Sequence, residues 1–174
     1  GNLFLPNGDF ETGSVVGGSS SNMVVTSAEG RLVQEIRNVA KVFPVGNAAG
    51  SYNPVTLRQP SGIVDFGVRV QNQLRYPTNS FDRVERQWQI DAVNVVSGSA
   101  NADVTLGWDV SHEDPNGSFD PLNCRISTFD PATYFFTASA DAAATQNGTE
   151  YIRTVTGMTA FDRPFVVASG SAMN

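Results

Sequence analysis

Histidine, cysteine and lysine each occur only once in the 174-residue chain, as His112, Cys124 and Lys41. A single histidine excludes zinc sites built from several imidazoles and leaves a Ser-His-Asp arrangement with one possible base. It lies in the acidic stretch Ser111-His112-Glu113-Asp114-Pro115, which reads as a solvated loop following a strand. A single cysteine excludes an internal disulfide, and with it a small disulfide-stapled scaffold. The surrounding Leu122-Asn123-Cys124-Arg125-Ile126 is strand-like and predicts a buried, inert thiol.

Charge is scarce as well. Charged residues make up 16% of the chain, against about 25% in ordinary soluble domains. The balance of 11 basic to 17 acidic residues leaves a net charge of −6. Such a chain repels phosphate backbones, so no nucleic-acid partner is expected. The longest apolar runs, such as Phe165-Val166-Val167-Ala168, fall far short of the roughly 20 residues a bilayer-crossing helix needs, so no membrane span is expected either. The start at Gly1, without Met or an apolar signal region, is what a processed or cut chain would show.

What is present is period-2 alternation. Val64, Phe66, Val68 and Val70 share one face of the segment Ile63 to Val70, and Val104, Leu106, Trp108 and Val110 share one face of Ala102 to Val110. Trp88 and Ile90 are in phase along Val84 to Val96. Shorter strand candidates are Met23 to Ser27, Arg31 to Ile36, Val39 to Phe43, Tyr52 to Leu57, Asn123 to Thr128, Tyr134 to Ala138, Glu150 to Val155 and Phe161 to Ala168. Turn clusters such as Pro60-Ser61-Gly62, Ser97-Gly98-Ser99 and Asn147-Gly148 separate them. No stretch carries helical spacing, so nothing would cover parallel crossovers and antiparallel pairing is the default. The pattern predicts an all-β, antiparallel two-sheet β-sandwich, Ig-like or jelly-roll-like, with about eleven strands.

The N-terminal end reads differently. Gly1-Asn2-Leu3-Phe4-Leu5 is a short apolar strand, Pro6-Asn7-Gly8-Asp9 a turn, and residues 13–22 are rich in Gly and Ser. This divides the chain into an arm with its linker over residues 1–21 and a sandwich domain over 22–174. Leu3, Phe4, Leu5 and Phe10 are the arm's candidate assembly residues, because strand addition to another copy would bury them while satisfying an open sheet edge.

Other constellations offer less. The carboxylates Glu85, Asp91, Glu113, Asp114, Asp120 and Asp130 contain no two that the sequence marks as a glycosidase pair. Asp114, Asn116 and Asp120 alternate oxygen ligands like a calcium loop, but the glycine is misplaced and the closing Glu is missing. A plain turn is the simpler account, and no cofactor is expected. Tyr134-Phe135-Phe136 cannot all face inward in a strand. Trp108, in phase with its strand, reads first as core; with Tyr134 and Phe135 it is also a candidate ligand-contact aromatic, strand burial and a protein contact being the competing explanations. Two sequons, Asn116-Gly117-Ser118 and Asn147-Gly148-Thr149, fall in predicted turns.

Several motifs carry a family likeness: Phe43-Pro44-Val45-Gly46-Asn47, Tyr52-Asn53-Pro54-Val55-Thr56-Leu57, Arg86-Gln87-Trp88-Gln89-Ile90, Ala102 to Trp108, and Met158 to Ala168. Together they resemble β-sandwich surface and adhesin modules of type IX-secreted proteins of Bacteroidota. That resemblance spans most of residues 41–169 and implies a secreted, cell-surface structural or adhesive role with no catalytic residues. A bacterial chain of this kind is not expected to carry N-glycans. The resemblance also implies a C-terminal secretion-signal domain, which residues 1–174 do not include. Asn2 to Glu11 is similar to the opening of several carbohydrate-binding modules. The function expected is thus an extracellular, non-enzymatic structural protein, with a self-assembling surface fibre subunit as its strongest form. The alternatives are a carbohydrate-binding module or an accessory domain of a larger secreted enzyme. Self-association, neighbouring domains of a surface protein and a glycan are the partners considered.

Overall fold

The computed structural model describes residues 1–26, 28–72, 82–115, 118–130, 132 and 135–169. Among these residues the regular structure is all strand apart from one 3-10 turn at Val110–His112. The strands are β1 (Leu3–Phe4), β2 (Phe10–Thr12), β3 (Val24–Val25), β4 (Leu32–Ile36), β5 (Lys41–Phe43), β6 (Val45–Ala48), β7 (Ser51–Tyr52) and β8 (Val55–Arg58). They continue with β9 (Ile63–Gln71), β10 (Gln87–Ser97), β11 (Ala102–Asp109), β12 (Cys124–Asp130), β13 (Phe135–Ala138), β14 (Thr145–Asn147), β15 (Glu150–Met158) and β16 (Arg163–Ser169). Each of the predicted strand segments overlaps one of these. The expected single strand Tyr52 to Leu57 is split at Asn53-Pro54 into β7 and β8, as a proline that cannot donate to a ladder requires.

Three sheets result. Seven strands run in the order β13-β12-β16-β10-β9-β4-β2, five in the order β14-β15-β11-β8-β5, and four in the order β1-β3-β6-β7. The alternation seen in sequence sets the inward faces. On the seven-stranded sheet Leu32 lies opposite Val68, Ile36 opposite Val64, Val68 opposite Ile90 and Val70 opposite Trp88, all fully buried. Val104, Leu106 and Trp108 of β11 join the same core, as do Val24 and Val45 of the four-stranded sheet. All three sheets therefore feed one sandwich-like core, where each fully buried Val, Leu, Ile or Phe contributes about 1.5–3 kcal/mol. Polar atoms buried here find backbone partners. Gln34 Nε2 donates to the Val42 carbonyl at 2.9 Å, and Trp88 Nε1 donates to the Asn53 carbonyl at 3.2 Å.

Pairing is not purely antiparallel. The ladders β1–β3, β3–β6 and β2–β4 are parallel. Parallel neighbours need a long crossover. Here the connecting chain is not helical among the described residues: the stretch from β1 to β3 includes β2, and that from β2 to β4 includes β3. The parallel pairs all involve the N-terminal quarter of the chain. The antiparallel expectation holds for the remaining ladders.

Candidate functional site

The arm does not extend into solvent. Its first strand, β1, adds to the edge of β3 with Leu3 opposite Val24 and Phe4 opposite Val25. Its second, β2, adds to β4 at the edge of the seven-stranded sheet. Leu3 N–H donates to the Met23 carbonyl and Leu5 N–H to the Val25 carbonyl, both at 2.9 Å. The Asn2 side chain accepts from Met23 N–H at 3.2 Å, and the Gly1 ammonium reaches the Asn22 side chain. The side chains below this edge, Met23, Val24 and Val25, are at most 4% exposed. Those of the arm are not: Leu3 is 43% exposed, Phe4 60% and Phe10 40%. Leu5 packs against the core, as does Val15 of the linker. The arm thus satisfies backbone groups while leaving much of its own apolar surface in water.

Between β1 and β2 the chain bends through Pro6-Asn7-Gly8, with Gly8 at φ 82°. This bend rests on Gly30, where an added Cβ would come 2.6 Å from the Gly8 carbonyl oxygen and 2.9 Å from that of Leu5. Only glycine permits such an approach. Beyond the bend, Asp9 clasps Arg31. Asp9 Oδ1 accepts from Arg31 N–H and Nε, both at 3.1 Å, while Oδ2 accepts from Nη2 at 2.5 Å. Arg31 Nη1 also donates to Asp91 Oδ2 on β10 at 2.9 Å. Hydrogen bonding from Arg31 holds the Asp9 carboxyl below the usual carboxylate range, and the same bonds raise the guanidinium's pKa. The linker is anchored too, since Lys41 Nζ donates to the Gly13 carbonyl at 2.6 Å and Val15 N–H to Gln34 Oε1 at 3.3 Å.

His112 is not a solvated loop residue: it is 8% exposed. The packing of the 3-10 turn against β7 explains the burial. His112 Nδ1 lies 2.9 Å from Asn53 Nδ2 and Nε2 lies 3.3 Å from Ser51 Oγ. A neutral ring carrying its proton on Nε2 satisfies both contacts. Ser51 Oγ also receives Arg86 Nη2 at 3.3 Å and donates to Asn47 Oδ1 at 2.5 Å. Burial first, and the Arg86 charge second, push the imidazole pKa down to about 4. Its tautomer donates to the serine, and so low a pKa makes it a weak base. The geometry is that of a buried polar tie between sheet ends.

The remaining sequence candidates are scattered. Trp108, considered above as a ligand contact, is 1% exposed. Its ring stacks on Tyr151 at 5.8 Å and meets Phe119 edge-on at 6.1 Å, while Nε1 donates to Glu113 Oε1 at 3.0 Å. No face is left for a sugar. Tyr134 and Asn116 lie outside the described residues, and only the backbone of Phe135 is described, in β13. Phe136 packs on Phe129 at 5.0 Å. Of the calcium-loop candidates, Asp114 is partly buried, whereas exposed Asp120 caps its turn by accepting from Leu122 N–H at 2.9 Å. Among the described residues no three His, Cys, Asp or Glu side chains gather as a metal site. The other acids pair with arginines, Glu85 with Arg83 at 3.2 Å and Asp130 with Arg163 at 3.3 Å. Cys124 is buried, and burial raises its thiol pKa to about 11. Sequence reasoning named Leu3, Phe4, Leu5 and Phe10 but missed Asp9, Arg31 and Gly30, the residues that seat the arm. No protein-family profile, curated protein or solved structure matches this chain.

Proposed function

We propose that the chain is an extracellular structural or adhesive β-protein, non-enzymatic, whose N-terminal arm mediates association by strand addition. The observation that carries this reading is the arm's uneven burial. It covers a β3 edge whose side chains are at most 4% exposed, yet leaves Leu3 and Phe4 at 43% and 60%. An apolar strand at a sheet edge is a ready surface for another chain. The likeness of residues 41–169 to surface modules of Bacteroidota adds to it and suggests a cell-surface location. An Ig-like or jelly-roll-like sandwich, with the seven-stranded sheet as one layer, is the architecture this reading adopts. The low basicity of His112 and the pairing of Glu85, Asp91 and Asp130 with arginines favour a structural role over hydrolysis. With Trp108 buried, the glycan alternative loses one of its three aromatics.

Deleting residues 1–12 tests the proposal by light scattering and electron microscopy. The proposal predicts that the parent protein forms multimers and that the deletion abolishes them while a cooperative melting transition remains. Should the deletion fail to fold, the double variant Leu3→Asn, Phe4→Asn keeps the backbone ladder and removes only the apolar surface, and it too loses assembly. Monomeric parent protein, or multimers that survive in the asparagine variant, would overturn the reading.

A further inference from the structure

We infer that the partner of the arm is the β3 edge of a second copy, and that residues 1–5 exchange between copies by opening at the Pro6-Asn7-Gly8 bend. This rests on the association proposed above and names its acceptor.

Three observations point to exchange of this segment. First, the β3 edge requires an occupant. Withdrawing the arm would leave the Met23 and Val25 carbonyls without the Leu3 and Leu5 N–H groups that now donate to them, an open edge beside the buried Val24. Second, the occupant and its register are already defined. A neighbour's residues 1–5 can make the same Leu3–Val24 and Phe4–Val25 pairs, so exchange sacrifices no contact of the ladder, as in domain swapping. Third, the segment is separable. The Pro6-Asn7-Gly8 bend is exposed, whereas immediately beyond it Asp9 is fixed by three hydrogen bonds to Arg31. The clasp therefore holds β2 in its own chain and confines the movement to β1.

Geometry then limits how copies meet. Residues 6–9, fully extended at about 3.5 Å each, span roughly 14 Å. The acceptor β3 must lie that close to the donor's clasp, so the copies pack edge to edge. What opposes exchange is the advantage of an intramolecular site, equivalent to an effective concentration on the order of millimolar for a short tether. What favours it is the cover a neighbouring copy gives to Leu3 and Phe4. The exchanged fraction therefore rises with protein concentration.

The double variant Leu3→Cys, Val24→Cys tests this directly, because the native Cys124 is buried and silent. The protein is oxidised across a range of concentrations and run on denaturing, non-reducing gels. Exchange predicts a covalent dimer or longer ladder whose share grows with concentration and disappears with reductant. An intramolecular disulfide alone, in a preparation that still forms multimers, overturns exchange and leaves association to another surface. Absence of multimers in the parent protein overturns the association reading itself. If Val24→Cys unfolds the protein, Phe4→Cys with Val25→Cys provides the second registered pair and the same readout.

Discussion

At the scale of single residues the chain's one histidine makes a sharp prediction. His112 is buried as a neutral donor to Ser51, with a pKa near 4. Unfolded, it titrates at about 6.5. Because the folded value is the lower one, the unfolded chain binds the proton more readily between these limits. The stability contribution is complete above pH 6.5 and is lost as pH falls from 6.5 towards 4. The gap corresponds to about 3 kcal/mol. Urea midpoints measured from pH 7 to pH 4.5, before most carboxylates titrate, should therefore fall steadily. His112→Gln should flatten that part of the profile, and an unchanged slope in the variant would show that some other group is responsible. The burial itself was not legible in the sequence. Glu113 and Asp114 beside the histidine suggested solvent, whereas its partners Ser51 and Asn53 lie about sixty positions away, in a segment that nothing local connects to it.

At the scale of elements the arm's seating depends on the clasp. Asp9 and Arg31 are each about a quarter exposed, so the bidentate pair is worth more than an open surface ion pair, on the order of 1 kcal/mol. Asp9→Asn should loosen residues 1–12. Amide exchange there should speed up by roughly fivefold at neutral pH, with the core strands β9 and β10 unaffected. Acid should do the same to the parent. The carboxyl's folded pKa is depressed, so its contribution is present above the ordinary carboxylate range and lost as pH falls below it. The body's strands were legible because Val64, Phe66, Val68 and Val70, or Val104, Leu106 and Trp108, repeat the two-residue period long enough to define a buried face. β1 and β2 are too short to show any period. Their parallel partners are set by the path of residues 5–31 and by the close seat of Leu5 and Gly8 on Gly30, which a sequence displays only as one more turn glycine.

At the scale of the whole molecule the charge balance separates two kinds of assembly. Each copy carries a net charge of −6, so copies repel one another before any short-range contact forms. An interface made of backbone pairing and the apolar side chains of Leu3 and Phe4 gains nothing from that field. It should strengthen as the field is screened. The Debye length shortens from about 30 Å at 0.01 M salt to about 8 Å at 0.15 M, which removes most of the repulsion between copies brought edge to edge. The same screening weakens the partly exposed Asp9–Arg31 pair. The two effects then divide between elements, since repulsion opposes the approach of β1 to a neighbour and the clasp restrains β2 within its own chain. Sedimentation velocity at fixed protein concentration should show the multimer share rising severalfold between 0.01 M and 0.15 M sodium chloride. Asp9→Asn, which lacks the full clasp and carries one acid fewer, should assemble more readily at the low-salt end and converge with the parent at the high end. Assembly that dissolves as salt is added would instead mean that complementary charges hold the copies together, and the arm would no longer account for their association.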